Sequence, residues 1–314
     1  MRSLFVMDPL ERINLAGDST FMLMRETSAR GWDAWWCTPR DLFTRDGRGW
    51  ARAQQVRTAA GFHPGPTRDE ELAGFDVVWM RKDPPFDMDY VVATHLLDFV
   101  PHKTLVLNAP NALRARNEKL FAASFPDLAP PTLVSQDSAR IVAFAAEMPD
   151  RIVLKPLDGN GGRGVLVTRS GDPNLRSMIE LLSDEGRRHI IAQRHVPEIV
   201  DGDKRILLVD GEPVGAVSRV PGPHDHRGNI HVGATVAKAT LTARDQEICA
   251  RLRPACQAEG LLFVGIDVIG PHLTEINVTS PTGIQEINRL DDTRIEVRVL
   301  DAALRRHLER RGVQ

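Results

Sequence analysis

The chain has 314 residues, of which 42% are hydrophobic and 26% charged, the composition of an ordinary globular protein. Its 40 basic and 42 acidic residues leave a net charge of −2. This balance excludes the strong overall field expected of a protein that binds nucleic acid or an anionic membrane surface.

The N-terminal segment predicts a first strand, SLFVMD, rather than a targeting signal. Its apolar run is ended by Asp8 and Pro9 and is too short for a signal peptide. No apolar run approaches the roughly 18 residues of a membrane-spanning helix. Three widely spaced cysteines match neither a disulfide framework nor a zinc pattern, and we expect Cys249 and Cys256 to be small buried hydrophobes. We therefore expect a cytoplasmic protein.

Strands and helices alternate in the first third of the chain. Residues 18–30 predict a helix with a polar cap at Asp18 or Ser19, and buried strands are predicted at Asp76–Met80 and from Thr104. This order favours a parallel sheet with crossover helices over roughly residues 1–118. Ligands bind beyond the carboxyl ends of such strands, where the chain places Asp8, Arg81, Lys82, Asp83 and Asn108.

The remaining two-thirds favours an α+β arrangement with antiparallel strands. Three prolines in residues 125–134 mark a connection, and a helix is predicted from Ser138 to about Met148. The pair Asp210-Gly211 predicts a two-residue hairpin turn. A helix at about 244–258 is expected to be interrupted by Pro254, and an amphipathic helix ends the chain before Gly312.

The stretch KPLDGNGGRGV is a glycine-rich turn between two predicted strands. A strand follows the last glycine, which argues against a dinucleotide fingerprint, and the loop does not end in the Lys-Ser/Thr pair of a P-loop. Backbone N–H groups of such a flap can close over phosphates, and Lys155 lies close enough in sequence to add a charge. The alternative is a mobile surface hairpin that binds nothing.

The stretch LTEINVTSP places a carboxylate and an amide on one face of a strand. A three-residue loop at 270–272 predicts three facing pairs: Ile269 with Leu273, Asp267 with Glu275, and Gly265 with Asn277. Directly opposed carboxylates repel each other, and a divalent cation between them removes the conflict. Mg²⁺ prefers such oxygen ligands and usually accompanies phosphates. The alternative is a solvent-facing polar side of the sheet.

Two further segments contain candidate residues for a nucleotide site. IIAQRHVPE, residues 190–198, is apolar and then polar, as in a hinge that holds adenine, and His195 within it is expected to be structural. Residues 218–233 form a long glycine-proline loop with three histidines, His224, His226 and His231. Because no acids orient these histidines, the segment favours a mobile lid carrying Arg227 over a zinc site.

Together these residues resemble the bacterial-type glutathione synthetases, within the ATP-grasp ligases. The resemblance spans nearly the whole chain and is carried by VMDPLERIN, MRKDPPFDMDYVVATHLLD, NEKLF, KPLDGNGGRG, GDKRILLVDGEPV, RGN, FVGIDVIG and LTEINVTSPTG. It implies an ATP-grasp fold of mixed α/β and α+β character in three domains. These are an N-terminal Rossmann-like domain (1–118), a central lid domain (119–197) and a C-terminal antiparallel-sheet domain (198–314).

The resemblance also implies a set of site residues. The phosphates of ATP would be bound by Lys119 and Lys155 under the loop of Gly159, Asn160, Gly161, Gly162 and Gly164. The adenine hinge would be Gln193, Arg194, His195 and Val196, with Asp203 at the ribose. Mg²⁺, with Mn²⁺ as the alternative ion, would be held by Asp267, Glu275 and Asn277. The γ-phosphate, acylphosphate or substrate carboxylate would be contacted by Arg205, Arg219 and Arg227. The remaining substrate contacts would be Arg81, Lys82, Asp83, Ser280 and Thr282.

The implied activity is the ATP-dependent ligation of γ-glutamylcysteine and glycine through an acylphosphate, in a homotetramer or dimer. Two departures keep a paralogue with another acid or amine open, because Thr235 and Gln285 stand where family members often carry arginine. A phosphotransferase is disfavoured, since it needs a general base and no obvious carboxylate lies outside the metal set. A non-catalytic nucleotide-binding module would have no reason to keep Lys155 and all three metal ligands.

Overall fold

The computed structural model describes residues 1–159, 161–222 and 235–312, and their strands form three sheets. The first sheet contains β1 (Arg2–Val6), β2 (Asp33–Cys37), β3 (Leu42–Arg45), β4 (Arg48–Thr58), β5 (Phe62–Glu71), β6 (Val77–Met80) and β7 (Leu105–Leu107). Strands β2, β1, β6 and β7 are parallel in that order, which confirms the predicted arrangement for these four strands. The sheet as a whole is nevertheless mixed, since β4 pairs antiparallel with β2, β3 and β5.

The antiparallel strands β3 to β5 escaped sequence reasoning because their apolar signal is weak. The buried face of β4 is formed largely by Ala51, Ala53 and Val56. Small apolar residues like these give little period-2 contrast.

Three helices accompany the first sheet: α1 (Ser19–Ala29), α2 (Met88–Leu97) and α3 (Pro110–Ala115). Helix α4 (Glu118–Ala123) follows them and packs against the third sheet. The Asp18 side chain accepts a hydrogen bond from the backbone N–H of Phe21 at 2.5 Å, so Asp18 caps α1 as predicted. Helix α1 ends before Gly31, whose φ of +70° suits glycine.

The second sheet contains β8 (Thr132–Ser135), β9 (Arg151–Pro156), β10 (Leu166–Arg169) and β11 (Ile190–Arg194). All its pairs are antiparallel, in the order β10-β9-β11-β8. Helices α5 (Ser138–Glu147) and α6 (Leu175–Ser183) pack on it through a separate apolar cluster that includes Ile141, Leu154 and Ile179. The glycine loop connects β9 to β10, as the sequence predicted.

The third sheet contains β12 (Asp203–Val209), β13 (Glu212–Val220), β14 (Thr235–Lys238), β15 (Phe263–Ile269) and β16 (His272–Asn277). It is antiparallel in the order β14-β13-β12-β15-β16, and the hairpin turn at Asp210-Gly211 is confirmed. Three helices complete this part: α7 (Ala243–Ala258), α8 (Ile284–Asp291) and α9 (Ile295–Arg310). Apolar clusters shared by the first and third sheets join these two parts into one body.

The predicted interruption of α7 at Pro254 is wrong, because the helix runs continuously through that residue. Buried side chains on both sides of the proline, among them Leu252 and Cys256, hold the two halves on one core. Tertiary packing thus outweighs the local cost of the missing N–H. Cys249 and Cys256 are free and buried, as expected. None of the described helices is long and apolar enough to cross a membrane.

The hairpin of β15 and β16 keeps two of the three predicted pairs. Asp267 faces Glu275 and Gly265 faces Asn277, but Ile269 faces His272 rather than Leu273. The turn has only two residues, Gly270-Pro271, and Thr274 is an extra residue that forms a β-bulge. The Thr274 hydroxyl donates to the backbone carbonyl of Asp267 at 3.0 Å. The bulge compensates for the shorter turn and leaves the two carboxylates opposite each other.

Candidate active site

A cavity of about 1120 Å³ lies between the second and third sheets. The N-terminal part of the chain, which contains the first sheet and its helices, borders the cavity on one side. The second sheet contributes the glycine loop, Lys155 and the segment 193–196. The third sheet contributes polar side chains of β12, β13, β15 and β16. The N-terminal part contributes residues 12–14 and 16–18. Three parts of the chain that are distant in sequence therefore meet around one cavity.

The three predicted metal ligands converge in this cavity. Asp267 and Glu275 are opposite each other, and Asn277 donates from Nδ2 to Oδ2 of Asp267 at 3.3 Å. That bond does not use the carbonyl oxygen of Asn277. Among the described residues no three His, Cys, Asp or Glu side chains form a metal-binding group, so this set depends on the amide as its third ligand. Two carboxylates and an amide oxygen fit a hard divalent cation.

Asp267 is buried and is held by two arginines. Arg205 donates to both of its oxygens, from Nε at 2.5 Å and from Nη2 at 3.0 Å, and Arg219 donates to Oδ2 at 3.0 Å. Burial opposes ionisation of Asp267, but the two guanidiniums outweigh it and hold the pKa well below its ordinary value. Asp267 is therefore a carboxylate throughout the neutral pH range, as a metal ligand must be.

Arg219 also reaches the predicted ribose ligand. Its Nη2 lies 2.5 Å from Oδ2 of Asp203, and Oδ1 of Asp203 is buried without a hydrogen-bond partner among the described residues. Burial raises the pKa of Asp203 to about 7, although the Arg219 charge opposes that rise. An unpaired buried oxygen at the cavity wall is suited to accept a bond from a ligand hydroxyl.

Lys119 connects the predicted metal ligands to the glycine loop. Its Nζ lies 3.2 Å from Oε1 of Glu275 and donates to the carbonyl of Gly159. Helix α4 positions it, because the Asn117 side chain caps that helix by accepting from the N–H of Lys119 and of Leu120 at 3.1 Å. A lysine in this place can bind a phosphate between the loop and the metal.

Glu118 is a site residue that sequence reasoning missed. Its Oε1 accepts from the N–H of Val278, and from the N–H and hydroxyl of Thr279, at 2.7 to 3.2 Å. Burial, and then the nearby charge of Glu275, raise its pKa. Glu118 thus fastens α4 to the segment after β16. The available signal was its position between the helix cap and the predicted phosphate lysine.

Lys155 is positioned by the predicted hinge. Its Nζ donates to Oε1 of Gln193 at 2.9 Å, and Gln193 donates from Nε2 to Oγ1 of Thr132 at 2.8 Å. Burial lowers the pKa of Lys155. The backbone N–H of Arg194 bonds to Pro131 and its side chain contacts His272 at 3.0 Å, while the N–H of His195 bonds to Arg151. Lys155 and the hinge residues Gln193, Arg194, His195 and the buried Val196 all line the cavity.

The glycine loop needs its glycines for two physical reasons. A Cβ on Gly159 would lie 2.6 Å from Cγ of Pro156 and 2.9 Å from the carbonyl oxygen of Arg163. Gly161, Gly162 and Gly164 have φ of +61°, +77° and +71°, a region that favours glycine. Asn160 lies outside the described residues, as do Arg227 and the three histidines of the predicted lid.

Some of the predicted substrate residues line the cavity, and the others do not. Asp83, Ser280 and Thr282 line the cavity, whereas Arg81 and Lys82 do not. Arg81 is buried, donating from Nε to Oγ1 of Thr20 at 3.1 Å and from Nη2 to the carbonyl of Pro281 at 3.0 Å. Its position supports a role in joining the first sheet to the third rather than direct substrate contact.

Lys82 forms an ion pair next to Asp83, which lines the cavity. Its Nζ is 3.0 Å from Oδ1 of Asp8, while Oδ2 of Asp8 accepts from the N–H of Asp83 at 3.0 Å. Asn108, also predicted at a strand end, is buried and bonds to the backbone of Phe263 and Val278. Both residues hold the cavity wall in place.

Thr235 and Gln285, the two positions predicted to depart from the family pattern, have different surroundings. Thr235 is exposed at the start of β14 and does not line the cavity. Gln285 bonds to the backbone of residues 15 and 18 and lies beside Glu286, a cavity-lining residue that sequence reasoning also missed.

A glycine flap and lysine on one antiparallel sheet face carboxylates and arginines on another, and this arrangement defines the ATP-grasp class of proteins. Family models agree with it. Residues 1–114 match the N-terminal domain of prokaryotic glutathione synthetase, and residues 118–292 match the ATP-grasp domain of the same family. The chain belongs to the prokaryotic glutathione synthetase family, which confirms the resemblance seen in the sequence.

Individual proteins support the same assignment. The glutathione synthetase of Agrobacterium fabrum is 47% identical over 300 residues, covering 94% of each chain. That of Parasynechococcus marenigrum is 48% identical, covering 92% of this chain and 94% of its own.

Two solved structures share the fold. D-cycloserine synthetase DcsG has a TM-score of 0.70 at 16% identity, covering 97% of this chain and 99% of its own. The ATP-grasp ligase PsnB, in complex with a minimal precursor, Mg and ADP, has a TM-score of 0.64 at 15% identity, with 98% of each chain covered. At these identities the likeness concerns the fold alone.

Proposed function

We propose that this protein is an ATP-dependent ligase that joins γ-glutamylcysteine to glycine, giving glutathione, ADP and phosphate. Family membership over nearly the whole chain supports this activity. The observation that carries it structurally is the convergence of Lys119, Lys155 and the set Asp267, Glu275 and Asn277 on one cavity. Phosphate-binding cations and metal-binding oxygens in contact are what ATP chemistry requires.

The charge of the site supports binding of a nucleotide together with a metal ion. Of the described residues, seven carboxylates, among them Asp203, Asp267, Glu275 and Glu118, and seven arginine or lysine side chains, among them Arg205, Arg219, Lys119 and Lys155, line the cavity. The phosphates would contact the cations, and Mg²⁺, with Mn²⁺ as the alternative ion, would be held by Asp267, Glu275 and Asn277. When bound, the cation would offset the phosphate charge as the γ-phosphoryl group is transferred.

The chain's own residues would bind the nucleotide and stabilise the reacting groups. Lys155 and Lys119 would orient the phosphates under the glycine loop, and the segment 193–196 would hold the adenine. A carboxylate oxygen of the acid substrate would attack the γ-phosphorus and release ADP, giving an acylphosphate. The amine nitrogen of glycine would then attack the acyl carbon and release phosphate. Arg205 and Arg219, which are bonded to Asp267, would stabilise negative charge in both steps.

The second substrate would bind near the end of β16. Ser280 and Thr282 line the cavity there, with Asp83 from the N-terminal part. Arg227 remains a prediction as the residue that a closing lid would bring to the intermediate. An acylphosphate hydrolyses easily, so the site needs such a means of excluding water.

Phosphate release distinguishes this proposal from its alternatives. We expect rapid release from ATP only when γ-glutamylcysteine and glycine are both present, with glutathione identified by mass spectrometry. Release with the dipeptide alone, without a ligated product, would instead indicate a phosphotransferase or ATPase. A different product from a mixed pool of γ-glutamyl dipeptides and amino acids would identify a ligase with another acid or amine.

A further inference from the structure

Gln285 joins two segments of the chain that are far apart in sequence. It lies in the first turn of α8, half-buried, and its Nε2 donates to the carbonyl oxygen of Leu15 at 2.8 Å and to that of Asp18 at 2.9 Å. A primary amide carries two N–H donors. Both are therefore used on one turn of the N-terminal part.

That turn forms a wall of the cavity. Asn14, Ala16, Gly17 and Asp18 all line the cavity, facing Thr282 and Glu286 of the third-sheet part. The bonds within the turn are local, from the N–H groups of Gly17 and Asp18 to the carbonyl of Asn14 at 3.1 and 3.0 Å. Local bonds shape the turn but do not set its distance from the rest of the site.

Gln285 supplies the connection that sets this distance. Directly after the turn, the Ser19 hydroxyl accepts a bond from the N–H of Ile284 at 3.3 Å. Arg81, which follows β6, donates a bond to the carbonyl of Pro281. These contacts fasten the start of α1 and the end of β6 to the segment 281–284. Among the described residues, the two bonds of Gln285 fasten the turn itself to α8.

We propose that Gln285 is a positioning residue, which holds the turn 14–18 at the distance where the acid substrate can rest against it. This inference depends on the proposed function. The phosphate end of the cavity is built from Lys119, Lys155 and Asp267, whereas the turn belongs to the N-terminal part. A substrate whose carboxylate must reach the γ-phosphate is sensitive to the separation of these two walls. Errors of about 1 Å in such a distance are costly to catalysis.

Removal of the two N–H donors tests the proposal. In Gln285→Met, which keeps the side-chain length, we expect the KM for γ-glutamylcysteine to rise about tenfold, the scale of two lost hydrogen bonds. The KM for ATP should change by less than about twofold, since Lys155 is positioned by Gln193 of the second sheet. The matched control is Gln257→Met, on the exposed side of α7, where the amide bonds to the carbonyl of Asp210.

Hydrogen exchange gives a readout that does not require turnover. The amides of Gly17 and Asp18 should exchange faster in Gln285→Met than in the wild type, and they should be unchanged in Gln257→Met. Gln285→Asn, which keeps the amide but is one methylene too short, should behave like Gln285→Met and serves as the second variant. If the exchange rates of these amides are unchanged in both Gln285 variants, Gln285 does not anchor the turn. If the KM rises equally for ATP and for the dipeptide, Gln285 has no specific role in placing the acid substrate.

The two proposals fail in different ways. Wild-type protein that makes no glutathione under these conditions sinks the proposed function, and hydrogen exchange still decides whether Gln285 anchors the turn. Active wild type with an unaltered KM for dipeptide in Gln285→Met sinks the inference alone.

Discussion

Asp267 and Glu275 lie directly opposite each other on β15 and β16, and the two carboxylates have no cation in common among their ion pairs with the described residues. Asp267 is bonded to Arg205 and Arg219, from β12 and β13, whereas Glu275 is paired with Lys119 from α4 at 3.2 Å. Two like charges face each other at little cost because these three cations surround them. Such a pair of carboxylates fits the predicted role as ligands of a metal ion that arrives with phosphates.

Glu275→Gln should abolish most of the activity without disturbing the fold. The side chain is one-quarter exposed, at 25%, and the substitution keeps its shape while removing a ligand charge. We expect kcat to fall at least about a hundredfold at saturating Mg²⁺, with circular dichroism unchanged. Glu247→Gln, an exposed pair with Arg244, is the matched control. Near-normal turnover in Glu275→Gln would contradict the metal assignment.

Arg205→Lys should be far from conservative. Arg205 donates to both oxygens of Asp267 and also to the carbonyl of Thr282 at 3.2 Å, a geometry that one ammonium group cannot reproduce. We expect kcat to fall by about a hundredfold or more, because Asp267 loses its orientation. Arg253→Lys, at the exposed ion pair with Glu212, should leave kcat unchanged. Steady-state kinetics of the two variants side by side would refute the idea if both kept wild-type rates.

Gly159→Ala should weaken the binding of ATP. Its methyl group would overlap Pro156 and the carbonyl of Arg163, so the loop must shift, and the bond that Lys119 donates to the carbonyl of Gly159 would be disturbed. We expect the KM for ATP to rise about tenfold, from the cost of a displaced phosphate contact. Gly61→Ala is the control, since a Cβ there makes only an ordinary 3.7 Å contact. Direct nucleotide titration would decide the matter, and equal affinities in the two variants would count against the loop's role.

Acid should destabilise the protein partly through His307. This residue is buried in α9 beside Asp76, with 3.4 Å between Nε2 and Oδ1. Burial lowers its pKa below the ordinary value of 6.5, even though the Asp76 charge opposes the shift. The unfolded chain therefore takes up this proton at a higher pH than the folded protein does. The contribution of His307 to stability is complete above pH 6.5 and is lost as the pH falls toward the folded pKa.

The measurement is the change in Tm between pH 7.5 and pH 5.5 for matched variants. His307→Gln should lose less Tm over this interval than the wild type, because it has no imidazole to protonate. His102→Gln, at an exposed position, should follow the wild type. An identical Tm profile for His307→Gln and wild type would show that another group governs the acid response.

Features set by short-range patterns could be predicted well. The cap at Asp18, the hairpin turn at Asp210-Gly211 and the facing of Asp267 and Glu275 each follow from a few neighbouring residues. The last of these was correct although the assumed loop was one residue too long. The bulge at Thr274 restored the alternation, and nothing local in the sequence indicated it.

Features that depend on long-range packing could not be predicted. Arg81 has the charge of a substrate ligand and the right place at the end of a strand, yet it is buried between β6 and the segment after β16. Glu118 joins the site because α4 packs against β16, a contact between residues 160 positions apart. Pro254 stays inside a helix because side chains on both flanks share one core.

The sequence by itself determined the chemical groups of the candidate site: a glycine-rich loop, the lysines predicted to bind phosphate and an oxygen-rich strand face, because residue types and short spacings are local properties. The tertiary structure decided which charges are paired and which parts of the N-terminal segment form the cavity wall, such as the turn held by Gln285. Those outcomes depend on burial and on contacts between distant segments, and no single stretch of residues determines the energies of such contacts.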